Sequence, residues 1–232
     1  MKTFAFIFAR GGSKGLPGKN LLNLGGKPLL AHSIMIAKDI DKISRIFVST
    51  DSQEIAEVAI EYGAEVINRP SELAQDDSPE WSSWLHAINW LEDRGEFFDC
   101  FVSLPATAPM RNKSDVIKCI DLLDKQTDIV VTISESSRSP YFNMVKKDRH
   151  YIKLLVDSEK SYSRRQDAPQ IYDMTTVAYV ARPNFIKNNN NIFDGRVKAS
   201  IVPKKRAVDI DDEIDFKMAE LLMKVDQGNA DA

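Results

Sequence analysis

Cysteine and long apolar runs are both scarce in this sequence, which contains 2 cysteines among 232 residues. A chain of this size with so few cysteines lacks a disulfide framework, so we expect buried thiols in a reducing compartment. No apolar run reaches the ~18 residues that a membrane-spanning helix requires. The first apolar run ends after Ala9 at a charged loop, which argues against a signal peptide. These features predict a cytoplasmic protein with no membrane partner.

Histidine and net charge are also low. The 3 histidines are scattered, without metal-ligand spacing or a neighbouring serine, so the sequence does not support a hydrolase triad. The formal net charge of −3 argues against nucleic acid as a partner. What the sequence does have is 43% hydrophobic residues, enough to form the core of one α/β domain.

Short apolar runs alternate with longer amphipathic stretches from the N-terminus to residue 134. The short runs predict buried strands, and the periodic stretches predict helices. One predicted helix begins at Asp51, which forms a capping box with Glu54. Such alternation is typical of a three-layer Rossmann-like α/β fold, in which helices cover both faces of a mostly parallel sheet. The loops after the strands would meet at one sheet edge, where ligands bind in these folds. These loops begin at Arg10, Thr50, Asn68 and Leu104.

The pattern changes over residues 137–170, which are polar and poor in helical periodicity. This segment predicts a hairpin of residues 141–145 and 151–156 that leaves the main sheet as an insertion. Residues 175–181 and 197–202 then predict two further strands, and residues 212–224 predict an amphipathic helix. Residues 226–232 have no core pattern and predict a frayed tail.

A glycine-rich basic loop follows the first predicted strand, between Ala9 and Asn20. Glycines let backbone N–H groups approach a ligand and form an anion-binding nest, and Arg10, Lys14 and Lys19 add positive charge. A polyphosphate is the simplest partner, and a solvated surface turn is the alternative. The spacing matches neither a P-loop nor the dinucleotide fingerprint, so the residues indicate a different phosphate-binding loop.

The segment Asp209-Ile-Asp211 is a second candidate site. Alternate residues of an extended segment point the same way, so the two carboxylates suit a hard divalent cation. A helix cap explains this segment equally well, because Asp211 or Asp212 could cap the predicted helix that follows. If the first loop binds a triphosphate, the Mg²⁺ site is favoured over the helix cap, because triphosphate chemistry requires a metal.

The first loop resembles a known signature. Ala9-Arg-Gly-Gly-Ser-Lys-Gly15, followed by Pro17, Lys19 and Asn20, resembles the acylneuraminate cytidylyltransferases, also called CMP-sialic acid synthetases. Bacterial relatives in that family act on legionaminic and similar nine-carbon acids. The similarity extends over about residues 3–224. It implies a nucleotidyltransferase fold of the GT-A type and a reaction of CTP with a nine-carbon 2-keto sugar acid, giving CMP-sugar and pyrophosphate.

The resemblance also implies a domain organisation. In that family the segment equivalent to residues 137–170 crosses to a second subunit and forms a dimer. A floppy excursion is the alternative, and the apolar side chains of the predicted hairpin favour the dimer arm because they need burial. We therefore expect a homodimer. Its chain would have a nucleotide-binding catalytic domain of residues 1–136 and 171–225, a dimerisation arm of residues 137–170 and a tail of residues 226–232.

The resemblance assigns roles to individual residues. Arg10 and Lys19 would hold the triphosphate during catalysis, and Asp209 and Asp211 would hold Mg²⁺. Arg165 would bind the sugar carboxylate, since a guanidinium matches a planar anion. The residues expected to bind the nucleotide are Ala9, Arg10, Gly11, Gly12, Ser13, Lys14, Lys19, Asn20, Arg69 and Asp76. Those expected to bind the sugar acid are Thr107, Arg165, Gln166, Thr175 and Tyr179.

Two departures from the family pattern concern the sugar. Pro105 and Ala106 replace a Gln-Pro pair, and Thr175 and Thr176 replace an Asn-Gly pair, within a segment similar to the legionaminate branch. The resemblance therefore specifies the reaction better than the acceptor. The alternatives are another sugar nucleotidyltransferase, a metal-dependent GT-A-like glycosyltransferase and, less favoured, a non-catalytic nucleotide-binding protein. The cations of the first loop favour a triphosphate over the diphosphate of a nucleotide sugar.

Overall fold

The computed structural model of the protein describes residues 1–158, 160 and 162–230, and for Arg165 and residues 226–230 it describes the backbone alone. Strands and helices alternate along most of this length. In chain order the elements are β1 (Thr3–Phe8), β2 (Asn23–Leu24), β3 (Lys27–Pro28), α1 (Leu29–Lys38), β4 (Ile43–Thr50), α2 (Gln53–Glu61), β5 (Glu65–Asn68), α3 (Glu80–Glu92), β6 (Cys100–Ser103), α4 (Lys113–Leu122), β7 (Ile129–Glu135), β8 (Val145–Asp148), β9 (Tyr151–Leu154), β10 (Tyr172–Ala181), α5 (Pro183–Asn188), β11 (Val197–Ile201) and α6 (Glu213–Ala230).

The central sheet has 7 strands in the order β11-β7-β10-β6-β1-β4-β5. Strand β10 runs antiparallel to β6 and β7, and the other neighbours pair in parallel. The predicted mostly parallel sheet is confirmed. The carboxyl ends of β1, β4, β5 and β6 consequently lie at one edge, next to residues near the middle of β10.

Strand β1 shows why its sequence is continuously apolar. Phe4 and Phe6 face one core, and Ala5 and Ile7 face the other. A strand that is covered on both faces has no solvent side and needs no polar alternation. Helices α1, α2 and α4 cover the first face, and α3 and α5 cover the second. The three-layer arrangement that the alternation predicts is therefore present.

Helix α2 begins one residue later than the sequence pattern predicts. Ser52 is its N-cap, because the Ser52 side chain accepts a hydrogen bond from Ile55 N at 3.4 Å. Asp51 is not the cap; its Oδ1 accepts a hydrogen bond from the backbone N–H of Gly11 at 2.9 Å. The carboxylate that looks like a helix cap in the sequence instead supports the glycine-rich loop.

The segment between β7 and β10 leaves the main sheet, as predicted. Strands β8 and β9 pair only with each other in a two-stranded antiparallel sheet, and every residue of both is exposed. Helix α6 continues to Ala230, whereas the sequence predicts a frayed end from residue 226. Among the described residues, no helix combines the length and apolar character needed to cross a membrane.

Candidate active site

A cleft opens at the carboxyl edge of the sheet. Its wall combines the loop after β1, the loop after β5 with the first turn of α3, the loop after β6, one residue of β10 and the segment before α6. The loop after β4 supports this wall through Asp51 and Gly11. The convergence of loops that the sequence predicts is therefore real. The charged residues in the wall are Arg10, Lys14, Lys19, Arg69, Asp76, Glu80 and Asp211.

Hydrogen bonds to backbone carbonyl oxygens fix both ends of the glycine-rich loop. Ala9 N donates to Ser49 O at 3.1 Å, and Asn20 Nδ2 donates to Arg10 O at 3.1 Å. Asn20 is 5% exposed. Ser13, Lys14, Lys19 and Asn20 line the cleft, whereas Ala9 is buried and Gly11 is exposed without lining it. Gly12 is exposed beside them, with nothing within 4 Å of where a Cβ would lie.

Each cation of the loop has a carboxylate partner. Arg10 Nη2 lies 2.8 Å from Asp76 Oδ1, and Lys14 pairs with the other oxygen of Asp76. Lys19 Nζ donates to Ile210 O at 2.7 Å and lies 3.1 Å from Asp211 Oδ1. The hydrogen bond from Lys14 lowers the pKa of Asp76. Asp76, expected among the nucleotide ligands, thus forms ion pairs with two side chains that are themselves expected to bind the nucleotide.

Arg69 joins the ends of β4 and β5. Its Nη2 donates to Ser49 O at 2.7 Å and its Nε donates to Ser49 Oγ at 3.2 Å. Its guanidinium carbon lies 5.6 Å from the centre of the Phe8 ring. Burial lowers the pKa of Arg69 to about 10, so the side chain stays charged at neutral pH. It adds a fourth positive charge to the cleft.

The two aspartates before α6 differ in environment. Asp209 Oδ1 is buried without a hydrogen-bond partner among the described residues, whereas the Asp211 side chain is 77% exposed and pairs with Lys19. Burial raises the pKa of Asp209; the Asp211 charge adds to the shift, and the neighbouring hydroxyls of Thr107 and Thr176 oppose it. Ile210, between the aspartates, is fully buried and donates its N–H to Thr107 O at 2.8 Å.

The aspartate that caps α6 is Asp212. Asp212 Oδ1 accepts hydrogen bonds from Ile214 N at 2.8 Å and from Asp215 N at 3.0 Å. Asp212 therefore caps α6, and the carboxylates of Asp209 and Asp211 are not needed for that role. No group of three or more His, Cys, Asp or Glu side chains among the described residues is arranged to hold a metal. The carboxylates of Asp209 and Asp211, the first with an unpartnered oxygen, still fit a hard cation that takes its other ligands from water and phosphate.

The sugar-binding predictions are met only in part. Thr107 lines the cleft. Thr175 is buried with its Oγ1 donating to Thr132 Oγ1 at 2.8 Å. Tyr179 is 7% exposed and packs against Trp84 in the core. Neither Thr175 nor Tyr179 lines the cleft, and Thr176, beside an irregularity in β10, does. Sugar binding by Thr175 and Tyr179 stays a prediction.

The two remaining sugar-binding predictions fall in the insertion. Arg165 and Gln166 lie in a short 3-10 helix, Arg165–Asp167. Gln166 lines a separate recess with Ser136 and Arg138, away from the cleft of its own chain. The side chain of Arg165 lies outside the described part of the structure, so its expected contact with a carboxylate stays a prediction.

A family model for cytidylyltransferases matches residues 4–227. The chain belongs to the cytidylyltransferase family. It is therefore a nucleotidyltransferase, and the resemblance carried by the first loop is confirmed.

Relatives of this cytidylyltransferase cover almost its whole length. The post-translational flagellin modification protein B of Campylobacter coli is 34% identical over 94% of this chain and 93% of its own. The CMP-N,N'-diacetyllegionaminic acid synthase of Campylobacter jejuni is 33% identical over 94% of both chains. A solved CMP:2-keto-3-deoxy-manno-octonic acid synthetase complexed with CTP has a TM-score of 0.75, with 18% identity over 97% of this chain and 100% of its own. At that identity the structural match supports the fold.

Two charged residues of the cytidylyltransferase site were missed in the sequence. Glu80, the first residue of α3, reaches into the cleft, and its Oε1 accepts a hydrogen bond from Trp84 Nε1 at 3.1 Å. Glu80 is exposed as a residue, and partial desolvation of its carboxyl group raises its pKa. In the sequence it looks like an ordinary first-turn acid, so no pattern distinguishes it.

Arg111 is the other missed residue. It is 4% exposed and donates to Ser33 Oγ at 2.6 Å and to the carbonyl oxygen of Pro105. Burial lowers the pKa of Arg111 to about 9. Its hydrogen bonds fix the loop that carries Thr107, so Arg111 supports the cleft from below. The sequence contained a signal, because Arg111 ends the segment Thr107-Ala-Pro-Met-Arg, which resembles the family's Thr-Ser-Pro-Leu-Arg.

Proposed function

We propose that this cytidylyltransferase transfers CMP from CTP to a nine-carbon 2-keto sugar acid and releases pyrophosphate. The observation that carries this proposal is the convergence of Arg10, Lys14 and Lys19 on one cleft with Asp211. Three cations from one loop match the charge of a triphosphate better than that of the diphosphate in a nucleotide sugar. The legionaminate relative supports a nonulosonic acid as the acceptor.

The cations would act on the leaving group. Arg10, Lys14 and Lys19 would bind the β- and γ-phosphates and neutralise the charge that develops on pyrophosphate. As CTP binds, Arg10 and Lys14 would exchange the carboxylate of Asp76 for phosphate oxygens. The anomeric hydroxyl of the acceptor would then attack the α-phosphorus in line with the departing pyrophosphate, so that one P–O bond forms as another breaks.

Mg²⁺ is part of this proposal. Asp209 and Asp211 would hold it, because one offers an unpartnered buried oxygen and the other an exposed carboxylate. When bound, Mg²⁺ withdraws charge from phosphate oxygens. Lys19 would then leave Asp211 for phosphate, since a single Asp211 carboxylate otherwise serves both cations.

A homodimer is also proposed, with residues 137–170 as the arm. The support is apolar surface on this segment, where Tyr151 is 77% exposed and Ile152 is 68% exposed. A second copy would bury these side chains, which a monomer leaves in water. Because CTP is a cytoplasmic nucleotide, we place the reaction in the cytoplasm.

A pyrophosphate-release assay tests the proposal. The protein is incubated with CTP, Mg²⁺ and, separately, each member of a panel of nonulosonic acids, with UTP in place of CTP as the nucleotide control. We expect pyrophosphate and a CMP-sugar with at least one acid, and no product without an acceptor. Inactivity with every acid would refute the proposed acceptor class. Pyrophosphate release in a parallel incubation with a sugar phosphate, and in none with an acid, would identify a different sugar nucleotidyltransferase.

A further inference from the structure

Strand β10 is irregular where it passes the cleft. Thr175 pairs with Thr132 of β7, and the next paired residue, Tyr179, lies opposite Val131. Residues 176–178 therefore have no partner in the described register of β7. Extra residues of this kind bend a strand and change the direction of its side chains, and such bulges are frequent beside active sites.

The hydroxyl of Thr132 holds this bulge together. Thr132 is fully buried, and its Oγ1 accepts hydrogen bonds from Thr175 Oγ1 at 2.8 Å and from Ala178 N at 3.2 Å. The same oxygen lies 3.2 Å from Thr175 O and 3.3 Å from Ala178 O. A hydroxyl has one proton and accepts two hydrogen bonds, so Thr132 is fully satisfied within the bulge. Valine has the same shape and offers none of these bonds.

The bulge determines which threonine faces the ligand. Thr175 is occupied with Thr132, whereas Thr176 lines the cleft with Thr107 and Asp211. Thr176 Oγ1 is buried and has no hydrogen-bond partner among the described residues. It lies beside the carboxyl group of Asp209. Buried hydroxyls are normally hydrogen-bonded, so an orphan in a cleft wall indicates a group that a ligand satisfies.

We infer that Thr132 is a positioning residue for the acceptor, because its hydroxyl sets the bulge that presents Thr176 to a hydroxyl or carboxylate oxygen of the sugar acid. This inference rests on the proposed function. Thr132 itself does not line the cleft, so it acts through the bulge alone. The CTP-binding cations lie on the loop after β1, outside the bulge, and are expected to be unaffected.

The test compares Thr176→Val, Thr132→Val and Thr132→Ser with the wild-type enzyme. Loss of one hydrogen bond to the acceptor predicts a fall of roughly threefold to tenfold in kcat/KM for the sugar acid in both valine variants. The Kd for CTP should remain unchanged, and Thr132→Ser, which keeps the hydroxyl, should recover most of the loss. Thr3→Val is the matched control, because Thr3 is a buried threonine at the N-terminal end of β1, whereas the cleft lies at the carboxyl end of this strand.

The double variant separates positioning from general stability. If Thr132 acts only through Thr176, adding Thr132→Val to Thr176→Val should cause no further fall in kcat/KM. Equal losses in CTP and acceptor binding, or additive losses in the double variant, would overturn the inference. If Thr132→Val does not fold, Thr176→Val and Thr132→Ser decide, and wild-type kinetics in Thr176→Val would refute it. Absence of turnover in the wild-type enzyme would instead refute the proposed function.

Discussion

The two ends of the cleft satisfy their polar groups in opposite ways. At the phosphate end, each cation of the glycine-rich loop already has a carboxylate, as in the pairing of Arg10 and Lys14 with Asp76. At the other end, where we propose that the acceptor binds, Thr176 Oγ1 is buried without a partner among the described residues. Exposed ion pairs contribute little net stability, so the phosphate end can exchange its internal anions for a ligand. The unpartnered group at the acceptor end has no internal partner to give up, so it gains a hydrogen bond only when a ligand binds.

The largest effect is expected between the two ends, at the aspartates before α6. Asp211→Ala should lower kcat by roughly a thousandfold, because loss of the metal removes several kcal/mol of transition-state stabilisation. The measurement is turnover at saturating Mg²⁺, together with turnover after chelation and readdition of Mg²⁺. Asp212→Ala is the matched control, since Asp212 caps α6. It should cost about 1 kcal/mol of stability and leave kcat near wild type. Near-normal turnover in Asp211→Ala would remove the metal from the scheme.

Lys19→Ala tests the phosphate end alone. A charge-assisted contact is typically worth ~1.5–3 kcal/mol, so Kd for CTP should rise roughly tenfold to a hundredfold. Binding of CMP should change much less, because CMP lacks the β- and γ-phosphates. Titration calorimetry with both nucleotides measures the difference, with Lys38→Ala, on the last turn of α1, as the control. Parallel losses for CTP and CMP would show that Lys19 binds some other group.

Ile152→Asp tests whether a second copy completes the acceptor end. A charge in the exposed apolar surface of the β8–β9 hairpin should prevent dimerisation. We expect KM for the sugar acid to rise about tenfold, in line with loss of one charge-assisted contact, while Kd for CTP stays constant. Sedimentation reports the oligomeric state, and steady-state kinetics report KM. A fully active monomer would separate dimerisation from acceptor binding.

Asp76→Asn should have the smallest effect and the opposite sign. Releasing Arg10 and Lys14 from their carboxylate should tighten CTP binding about threefold and steepen its salt dependence. The pKa of Asp76 is lowered, so the wild-type carboxylate stays ionised above its ordinary pKa, and the gain should be constant over roughly pH 6 to 9. Fluorescence or calorimetric titration at several ionic strengths measures it. Weaker CTP binding would make Asp76 a direct nucleotide ligand.

The phosphate end was far more predictable from sequence than the acceptor end. Residues 4–9, which include most of β1, form one apolar run that Arg10 follows directly, so both the strand and its loop follow from residue type and order alone. The acceptor end depends on a register irregularity. The family resemblance assigns Thr175 and Tyr179 to the acceptor, but the bulge in β10 places Thr176 at the cleft. A period-2 pattern contains no information about a bulge, which arises from the partner strand.

Asp51 illustrates a second limit. Its position before an amphipathic stretch predicts a helix cap, and Ser52 one residue later fits equally well by type. Asp51 is instead the acceptor for the backbone N–H of Gly11, which lies 40 residues away in the sequence. Ser52 is therefore left as the helix cap. Contacts between distant residues decide such cases, and local propensity cannot report them.

The junction between the glycine-rich loop and the segment before α6 has a consequence for the order of folding. A Cβ at Gly15 would overlap the carbonyl oxygen of Asp211, and Lys19 Nζ binds Ile210 O across 191 residues of sequence. Closing so long a chain segment has an entropic cost, and the contact cannot form before both segments have been synthesised. During synthesis the glycine-rich loop leaves the ribosome long before its partner segment does. A nascent chain that ends before Asp211 can therefore assemble much of the sheet but has no complete cleft, and catalytic competence arrives only with the final helix.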